Sequence, residues 1–106
     1  MNQEVQNIEM TITQAEAKIA KMQQWEKLLA NPLFDELVTK DYLGDDAVRL
    51  MIGLKPKTGD NEITNSMLLA KSLFSRYVGQ VIDEGTTAIG ALEEHKDMLR
   101  EIDSEG

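Results

Sequence analysis

Apolar residues recur at helical spacing through the C-terminal third of the chain. The steps between them alternate mostly between three and four residues, which places side chains on one face of an α-helix. As one helix this stretch would be roughly 60 Å long, so we expect it to lie against another long helix, from this chain or from a second copy. The residues of this stripe are Ile63, Met67, Ala70, Phe74, Tyr77, Val81, Ala88, Leu92, Leu99 and Ile102.

A second stripe runs through the N-terminal part of the chain and predicts a helix over residues 5–30. Its apolar positions follow a heptad with steps of three and four residues. Glu26 interrupts the repeat, and we expect Trp25, one position earlier, to pack in the core, with an anchor for a partner as the alternative. This helix is expected to pair antiparallel with residues 63–81. Its apolar positions are Val5, Ile8, Ile12, Ala15, Ile19, Met22 and Leu29.

Two short helices are predicted between the long ones, within residues 32–54. Asn31 suits an N-cap and Pro32 suits the first helical position, although a proline kink in one longer helix is the alternative. Residues 41–44 are expected to end the first short helix, and the Asp45–Asp46 pair is expected to begin the second. A strand over residues 48–54 is the other interpretation, which Gly53 disfavours.

Residues 55–61 are predicted to form a loop, because proline and glycine stand there among polar neighbours. Asp60 or Asn61 can cap the helix that follows, predicted over residues 62–102. Gly85 is the weakest point of that helix, since glycine costs roughly 1 kcal/mol relative to alanine in a helix interior. A kink, a break or the close approach of another backbone are the alternatives there.

The patterns together predict an all-α fold in a single domain, residues 1–106. Its two long helices, joined by two short helices, form a helical hairpin or antiparallel coiled coil. The second short helix is apolar almost all round, which is typical of a helix covered on most sides. The second half of the last helix is expected to reach beyond the hairpin. We therefore predict contacts with other chains at Val48, Met51, Ile52, Leu54, Leu92 and Leu99.

Charge restricts the partners of the chain. Eleven basic and 19 acidic side chains give a formal net charge of −8. Such a chain repels nucleic acid, whose binding depends on lysine and arginine against phosphates. Mimicry of nucleic acid for a basic target is an alternative, but maintenance of solubility is the ordinary role of such a charge. Protein partners are expected, with self-association among them.

The residues that carry chemistry are sparse. The chain has no cysteine and a single histidine, His95, which we interpret as a residue of the helix surface or an interface. No metal-ligand pair, calcium loop, phosphate loop or nucleophile motif occurs. We expect no catalytic residue, no metal and no cofactor. The N-terminus lacks the features of a signal peptide, and no apolar run is long enough to span a membrane.

One run of residues resembles a pattern in small helical proteins of tailed bacteriophages. The later segment from Ala88 to His95 resembles their C-terminal helix. The resemblance implies a small protein of virion structure or morphogenesis, located in the virion or the host cytoplasm. It carries no catalytic signature and transfers no binding residues. The run comprises Asn31, Pro32, Leu33 and Phe34, then Asp41, Tyr42 and Leu43, then Ala47, Val48, Arg49 and Leu50.

These observations predict a non-enzymatic protein that works by protein–protein contacts. With the resemblance, the expected role is that of a phage head or neck component or an assembly factor, which binds itself or a larger virion protein and forms a homo-oligomer. The alternative is a small acidic inhibitor of a host enzyme or defence complex, for which the net charge of −8 is the motive.

Overall fold

The computed structural model describes residues 2–105, with side chains from residue 3 to residue 104. Every element in this range is helical. Helix α1 spans Asn2–Leu29, α2 spans Pro32–Phe34, a π-helix spans Asp35–Asp45, α3 spans Asp46–Ile52 and α4 spans Glu62–Glu105. The two long helices, α1 and α4, pack against each other, and the shorter helical elements lie between them in the chain. The predicted all-α hairpin class is confirmed.

The chain divides into two compact units. The first, here called the terminal unit, combines the residues up to Glu26 with those from Gln80 onward. The second, the middle unit, comprises Lys27–Gly79. The sequence predicts one domain, and the structure contains these two units, each held by its own contacts.

In the terminal unit, the heptad of α1 faces α4 as its spacing predicts. Ile8, Ala15 and Met22 are buried. Trp25 is half-buried whereas Glu26 is exposed, so the indole is more covered than the residue at the next heptad position but is not part of the fully buried core. Helix α4 continues through Gly85 as regular α-helix, without a kink or a break. Gly85 lies against Met22 of α1, so the close approach of another helix is the alternative that the structure shows.

The expected pairing of residues 63–81 with α1 is wrong. Gly85 lies against Met22, and the groove that His95 lines is shared with the first residues of α1. The second half of α4 therefore pairs with α1 and does not extend beyond it. The reason is the connectivity: the short helical elements that directly precede the loop pack against residues 62–79, which directly follow it. This leaves the second half of α4 to pair with α1.

The orientation of α4 in the middle unit also differs from the predicted stripe. Ile63, Met67, Ala70 and Tyr77 are exposed. Val78 is buried, and Leu68 and Phe74 are half-buried. The inward stripe steps by three or four residues and includes two polar members, which hid it from an analysis of apolar spacing. Its members are Thr64, Leu68, Lys71, Phe74 and Val78.

The start of the middle segment, the short helical elements of residues 32–52, matches its prediction. The Asn31 side chain accepts hydrogen bonds from the backbone amides of Leu33, at 2.9 Å, and of Phe34, at 3.3 Å. Pro32 occupies the first turn, where its missing N–H costs nothing. Asn31 therefore acts as the N-cap, and the chain turns between α1 and α2.

The predicted break at residues 41–44 is wrong, because helix continues through them with a wider turn. The Asp46 amide donates to the Asp41 carbonyl, a five-residue step in place of four. Val38 and Leu43, the large apolar residues of this π-helix that are half-buried, are also five residues apart. In the wider turn this spacing places both side chains on the same side of the helix. The wider turn thus keeps the polar Asp41 exposed, whereas regular α-helix would turn it inward.

The loop of residues 53–61 is closed by one side chain. Asn61 Oδ1 accepts from the Lys55 amide at 2.7 Å, and Asn61 Nδ2 donates to the Lys55 carbonyl at 2.9 Å. Gly59 has φ of +70°, which glycine adopts without strain. The carbonyl of Asn61 accepts from the Asn65 amide at 2.8 Å, so α4 begins directly after this clamp.

Candidate interaction surfaces and the buried Lys71 cluster

A lysine lies inside the middle unit. Lys71 projects from the inward stripe of α4, and its residue surface is only 5% exposed. Its Nζ lies 2.7 Å from Asp46 Oδ2 and donates to the Tyr42 carbonyl, also at 2.7 Å. The ammonium also lies 3.4 Å from the centroid of the Tyr42 ring. A carboxylate, a carbonyl and an aromatic face together replace the water that the buried charge has lost.

Asp46 links this cluster to solvent. Its Oδ1 accepts from Arg49 Nε at 2.9 Å and from the neighbouring guanidinium nitrogen at 2.6 Å, while Oδ2 faces Lys71. The hydrogen bond from Lys71, and after it those from Arg49, hold the pKa of Asp46 below its usual value. The carboxylate therefore stays ionised and joins the first turn of α3 to α4.

The chemistry of this cluster is that of a structural clamp. The Lys71 ammonium is committed to groups of the π-helix and of α3. Lys71 was not among the residues predicted to carry a function. The available signal was its position, three residues from both Leu68 and Phe74, at the spacing of an apolar stripe. Asp46 was expected to favour a helix N-terminus, and its partners in the structure are side chains.

The predicted interface residues fall into two groups. Val48, Met51 and Ile52 of α3 are 49%, 52% and 79% exposed. They lie at i, i+3 and i+4, so they form one apolar face of that helix, here called the α3 face. Leu92 and Leu99 are half-buried in the phase of the stripe that faces α1, and Leu54 is half-buried at the end of the middle segment.

His95 lies in the terminal unit with a local partner. Its Nδ1–H donates to the Ala91 carbonyl at 2.7 Å, and its ring is half-buried. It borders an open groove of about 500 Å³. The groove is lined by Gln3, Glu4, Asn7, Ile8, Thr11, His95 and Met98. The imidazole is thus oriented by its own helix.

The described residues contain no group of three or more histidine, aspartate or glutamate side chains placed to hold a metal ion. Over the same part of the chain, each helix is too short or too polar to cross a membrane.

Exposed apolar side chains are concentrated in the middle unit. Among the described residues, twelve of the fifteen large apolar side chains that are exposed lie between residues 27 and 79. Met10, Ile89 and Met98 are the other three. By contrast, Leu50 and Val78 are the buried apolar residues of the same unit. The middle unit therefore has little interior of its own for its size.

Charge is distributed in the opposite way. The middle unit has seven basic and seven acidic side chains, so its formal charge is zero. The terminal unit has four basic and twelve acidic side chains, so it carries the entire net charge of −8. Apolar surface and neutrality thus coincide in one unit, and the acidic surface belongs to the other.

Comparison of the chain with protein-family models, with curated proteins and with solved structures gave no match in any of the three.

Proposed function

We propose that this chain is a non-enzymatic protein–protein interaction protein that works through helix–helix contacts of its middle unit. The observation that carries the proposal is the coincidence of apolar exposure and zero formal charge in residues 27–79. Monomeric soluble proteins rarely leave large apolar patches uncovered, and such patches mark interaction sites. A neutral surface also lets a chain of charge −8 approach a partner without strong repulsion.

The energetic reason lies in the small interior of the middle unit. Covering a fully exposed Leu, Ile, Val or Met side chain contributes about 1.5–3 kcal/mol. The described residues of this unit expose nine such aliphatic side chains by 48% or more. Covering half of this exposed surface contributes several kcal/mol before the entropic costs of association are subtracted. Association is therefore the natural route by which this unit gains stability.

Within that class, we propose a structural or assembly role in a tailed bacteriophage, as a head or neck component or an assembly factor. The support is the resemblance in residues 31–50, several of which have definite roles in the middle unit. Asn31 caps α2, Tyr42 covers the Lys71 ammonium, and Leu50 is buried. The residues that carry the resemblance therefore also stabilise the fold of the middle unit, so a protein that shares them is expected to share that fold.

Complementation in the phage that encodes the chain tests this proposal. Deletion of the gene should reduce the yield of complete particles, and the wild-type chain should restore it. A variant with Val48→Glu and Ile52→Glu should fail to restore it. The matched control, Met10→Glu with Ile89→Glu, changes exposed residues of the terminal unit and should succeed. Unchanged particle yield and composition after deletion would overturn the proposed role.

A second candidate, the acidic inhibitor of a host enzyme or defence complex, is favoured by the confinement of net charge to the terminal unit. It requires a basic partner that is bound more weakly as salt rises. Exchanging Glu93 and Glu101 for lysine should abolish inhibition of the host target while leaving particle assembly intact. The opposite result, loss of particles with no effect on any host activity, would dismiss this candidate.

A further inference from the structure

We propose that the outer face of α4 in the middle unit pairs antiparallel with the same face of a second copy of this chain, about a two-fold axis at Ala70. This inference deepens the proposed function and rests on it. The outer face consists of apolar residues of α4 that the structure leaves exposed, and all of its central members except Leu73 were expected to face α1. Its central members are Ile63, Met67, Ala70, Leu73 and Tyr77, and Leu69 borders them.

Helix α4 has two apolar sides in the middle unit. Its inward stripe already packs within the middle unit, with Val78 buried and Lys71 bound to Asp46. On the outer face, Ile63 is 76% exposed, Met67 is 48% exposed and Leu73 is 52% exposed. The two sides are adjacent, and a helix with so wide an apolar surface is covered around most of it in the working protein. The outer face therefore needs an occupant.

The charge of the outer face selects the kind of occupant. Between Glu62 and Asp83 the only ionisable side chains of lysine, arginine, aspartate or glutamate are Lys71 and Arg76. Lys71 is buried and paired, so the outer face presents no carboxylate and little charge of any kind. Solvent-facing surfaces ordinarily carry about 25–35% charged residues. A charge-poor apolar face is complementary to another face of the same character.

The spacing of the central members favours a second copy of the chain as that occupant. The five central members lie at −7, −3, 0, +3 and +7 relative to Ala70. This arrangement is unchanged when the direction of the helix is reversed. An antiparallel two-fold at Ala70 therefore sets Ile63 opposite Tyr77 of the second copy, and Met67 opposite its Leu73. A two-fold interface of this kind uses the same patch on both chains.

The small side chain at the centre suits such an arrangement. Ala70 lies between larger residues on both sides, so two helices can approach closely at the axis while the larger side chains interlock beyond it. The terminal units carry the charge of −8 on each chain, and the pairing surface lies in the neutral unit.

The area of the outer face indicates a reversible dimer. A fully exposed aliphatic side chain presents roughly 60–120 Å² of apolar surface, so the exposed fractions give on the order of 300 Å² per copy. Since homodimer interfaces are about 65% apolar, the interface would bury on the order of 1,000 Å² in total. This lies at the lower end of specific associations. We therefore expect a dissociation constant in the micromolar range.

Sedimentation velocity on the purified full chain tests the pairing. The chain of 11.9 kDa should shift toward twice that mass as its concentration rises through the micromolar range. Met67→Glu and Leu73→Glu should each weaken the dimer by at least about 100-fold, because the two-fold places every substitution at the interface twice. Ile89→Glu, on an exposed residue of the terminal unit, should leave it unchanged. Circular dichroism confirms that each variant keeps its helix content.

Cysteine cross-linking tests the geometry, since the chain has no cysteine of its own. Ala70→Cys should form a disulfide dimer rapidly, whereas Ala20→Cys, exposed on α1, should do so only slowly. A mixture of Met67→Cys and Leu73→Cys chains should give the mixed dimer in preference to either self-paired dimer.

A monomer at all concentrations, or Ala70→Cys cross-linking no faster than Ala20→Cys, would overturn the pairing. Preferred self-pairing of Met67→Cys would overturn its antiparallel direction. The complementation assay is independent of these measurements. Loss of particles on deletion of the gene alongside a monomeric chain would reject the pairing and keep the proposed function, whereas a dimer without any effect on particles would do the reverse.

Discussion

Gly85 of α4 lies directly against Met22 of α1 in the terminal unit. A Cβ atom built on Gly85 would lie 2.6 Å from Met22 Sδ and 2.9 Å from its Cγ, and it would also overlap the Cβ of Met22. The Met22 side chain is itself buried, at 6% exposure. The absence of a side chain at residue 85 is therefore what allows the two helices to pack at this distance.

We expect Gly85→Ala to lower the free energy of unfolding by about 1–3 kcal/mol, the usual cost of forcing an extra methyl group into a packed contact. This loss should occur although alanine favours helix over glycine by roughly 1 kcal/mol. The overlap reaches the Cβ of Met22, which moves only with its backbone, so a change of Met22 rotamer cannot relieve it. Urea unfolding followed by circular dichroism measures the difference.

Gly90→Ala is the matched control. A Cβ at Gly90 meets no atom within 4 Å, so only the helix propensity changes. This variant should be more stable than wild type by up to about 1 kcal/mol. Opposite signs at two glycines of one helix would establish that packing decides the first case. Stabilisation by both substitutions would contradict the close approach of α1 to Gly85.

The Lys71–Asp46 pair gives a second prediction, in the form of an order of stability. Asp46→Asn should destabilise the protein, because the Lys71 ammonium stays buried and loses its carboxylate. Adding Lys71→Met removes the charge while keeping an unbranched chain of similar length. The double variant should therefore be more stable than Asp46→Asn alone. Chemical denaturation at neutral pH measures all three proteins.

Equal stability of Asp46→Asn and of the double variant would show that the ammonium finds another partner when Asp46 is lost. Arg49→Gln serves as the control on the outer side of Asp46. It removes the partner of Oδ1 while keeping the Oδ2 contact to Lys71. Since Arg49 is exposed, it should cost about 1 kcal/mol or less.

The lowered pKa of Asp46 gives a third prediction, on the acid side. The folded state holds this pKa below the ordinary value of about 3.9, so the unfolded chain binds the proton more readily. The contribution of the ionised carboxylate is therefore complete above about pH 5 and is lost as pH falls through the folded pKa. Wild type should lead Asp46→Asn by a constant margin from pH 5 to 7.

That margin should shrink as the pH is lowered below about 4, where wild type comes to resemble the variant. Denaturation midpoints of both proteins across a pH series give the measurement. Their difference isolates Asp46 from the other carboxylates, which titrate in both proteins alike. A margin that stays constant down to pH 2.5, or that grows in acid, would contradict the ionised Lys71–Asp46 contact.

The stripe of α1 was predictable because its buried positions are all apolar. The orientation of α4 in the middle unit was not, because the rule that apolar residues face inward selected the wrong side. Ile63 and Met67 are more apolar than Thr64 and Lys71, which face inward. A lysine becomes an inward residue only when Asp46 and the Tyr42 ring receive its charge, and those groups belong to a distant part of the chain.

The continuous middle segment was missed for a different reason. Residues 41–44 include Asp41 and Gly44, which are poor α-helix formers, and they were therefore expected to end the helix. The five-residue step from Val38 to Leu43 becomes visible only once burial is known, because the sequence also offers the ordinary step of four from Val38 to Tyr42. Steps of three and four residues are the signature of α-helix, so they do not predict a π-helix.

Of the predicted interface residues, those of the α3 face are the ones that the structure leaves exposed. They lie beside Leu50, which is buried, so one short helix presents both an inward and an outward apolar side. The apolar character all round α3 was the signal. What the sequence could not supply was which of these residues the middle unit covers itself.

Truncation of Leu50 and Ile52 separates these two sides and gives the last prediction. Leu50 is 6% exposed, so Leu50→Ala should cost about 2–5 kcal/mol through lost burial and the cavity left behind. Ile52 is 79% exposed, so Ile52→Ala should change stability by no more than about 0.5 kcal/mol. The two positions share a helix and lose side chains of equal size, so helix propensity contributes little to the difference. Urea unfolding at a concentration where the chain is monomeric makes the comparison, and similar losses at both positions would contradict the orientation of α3.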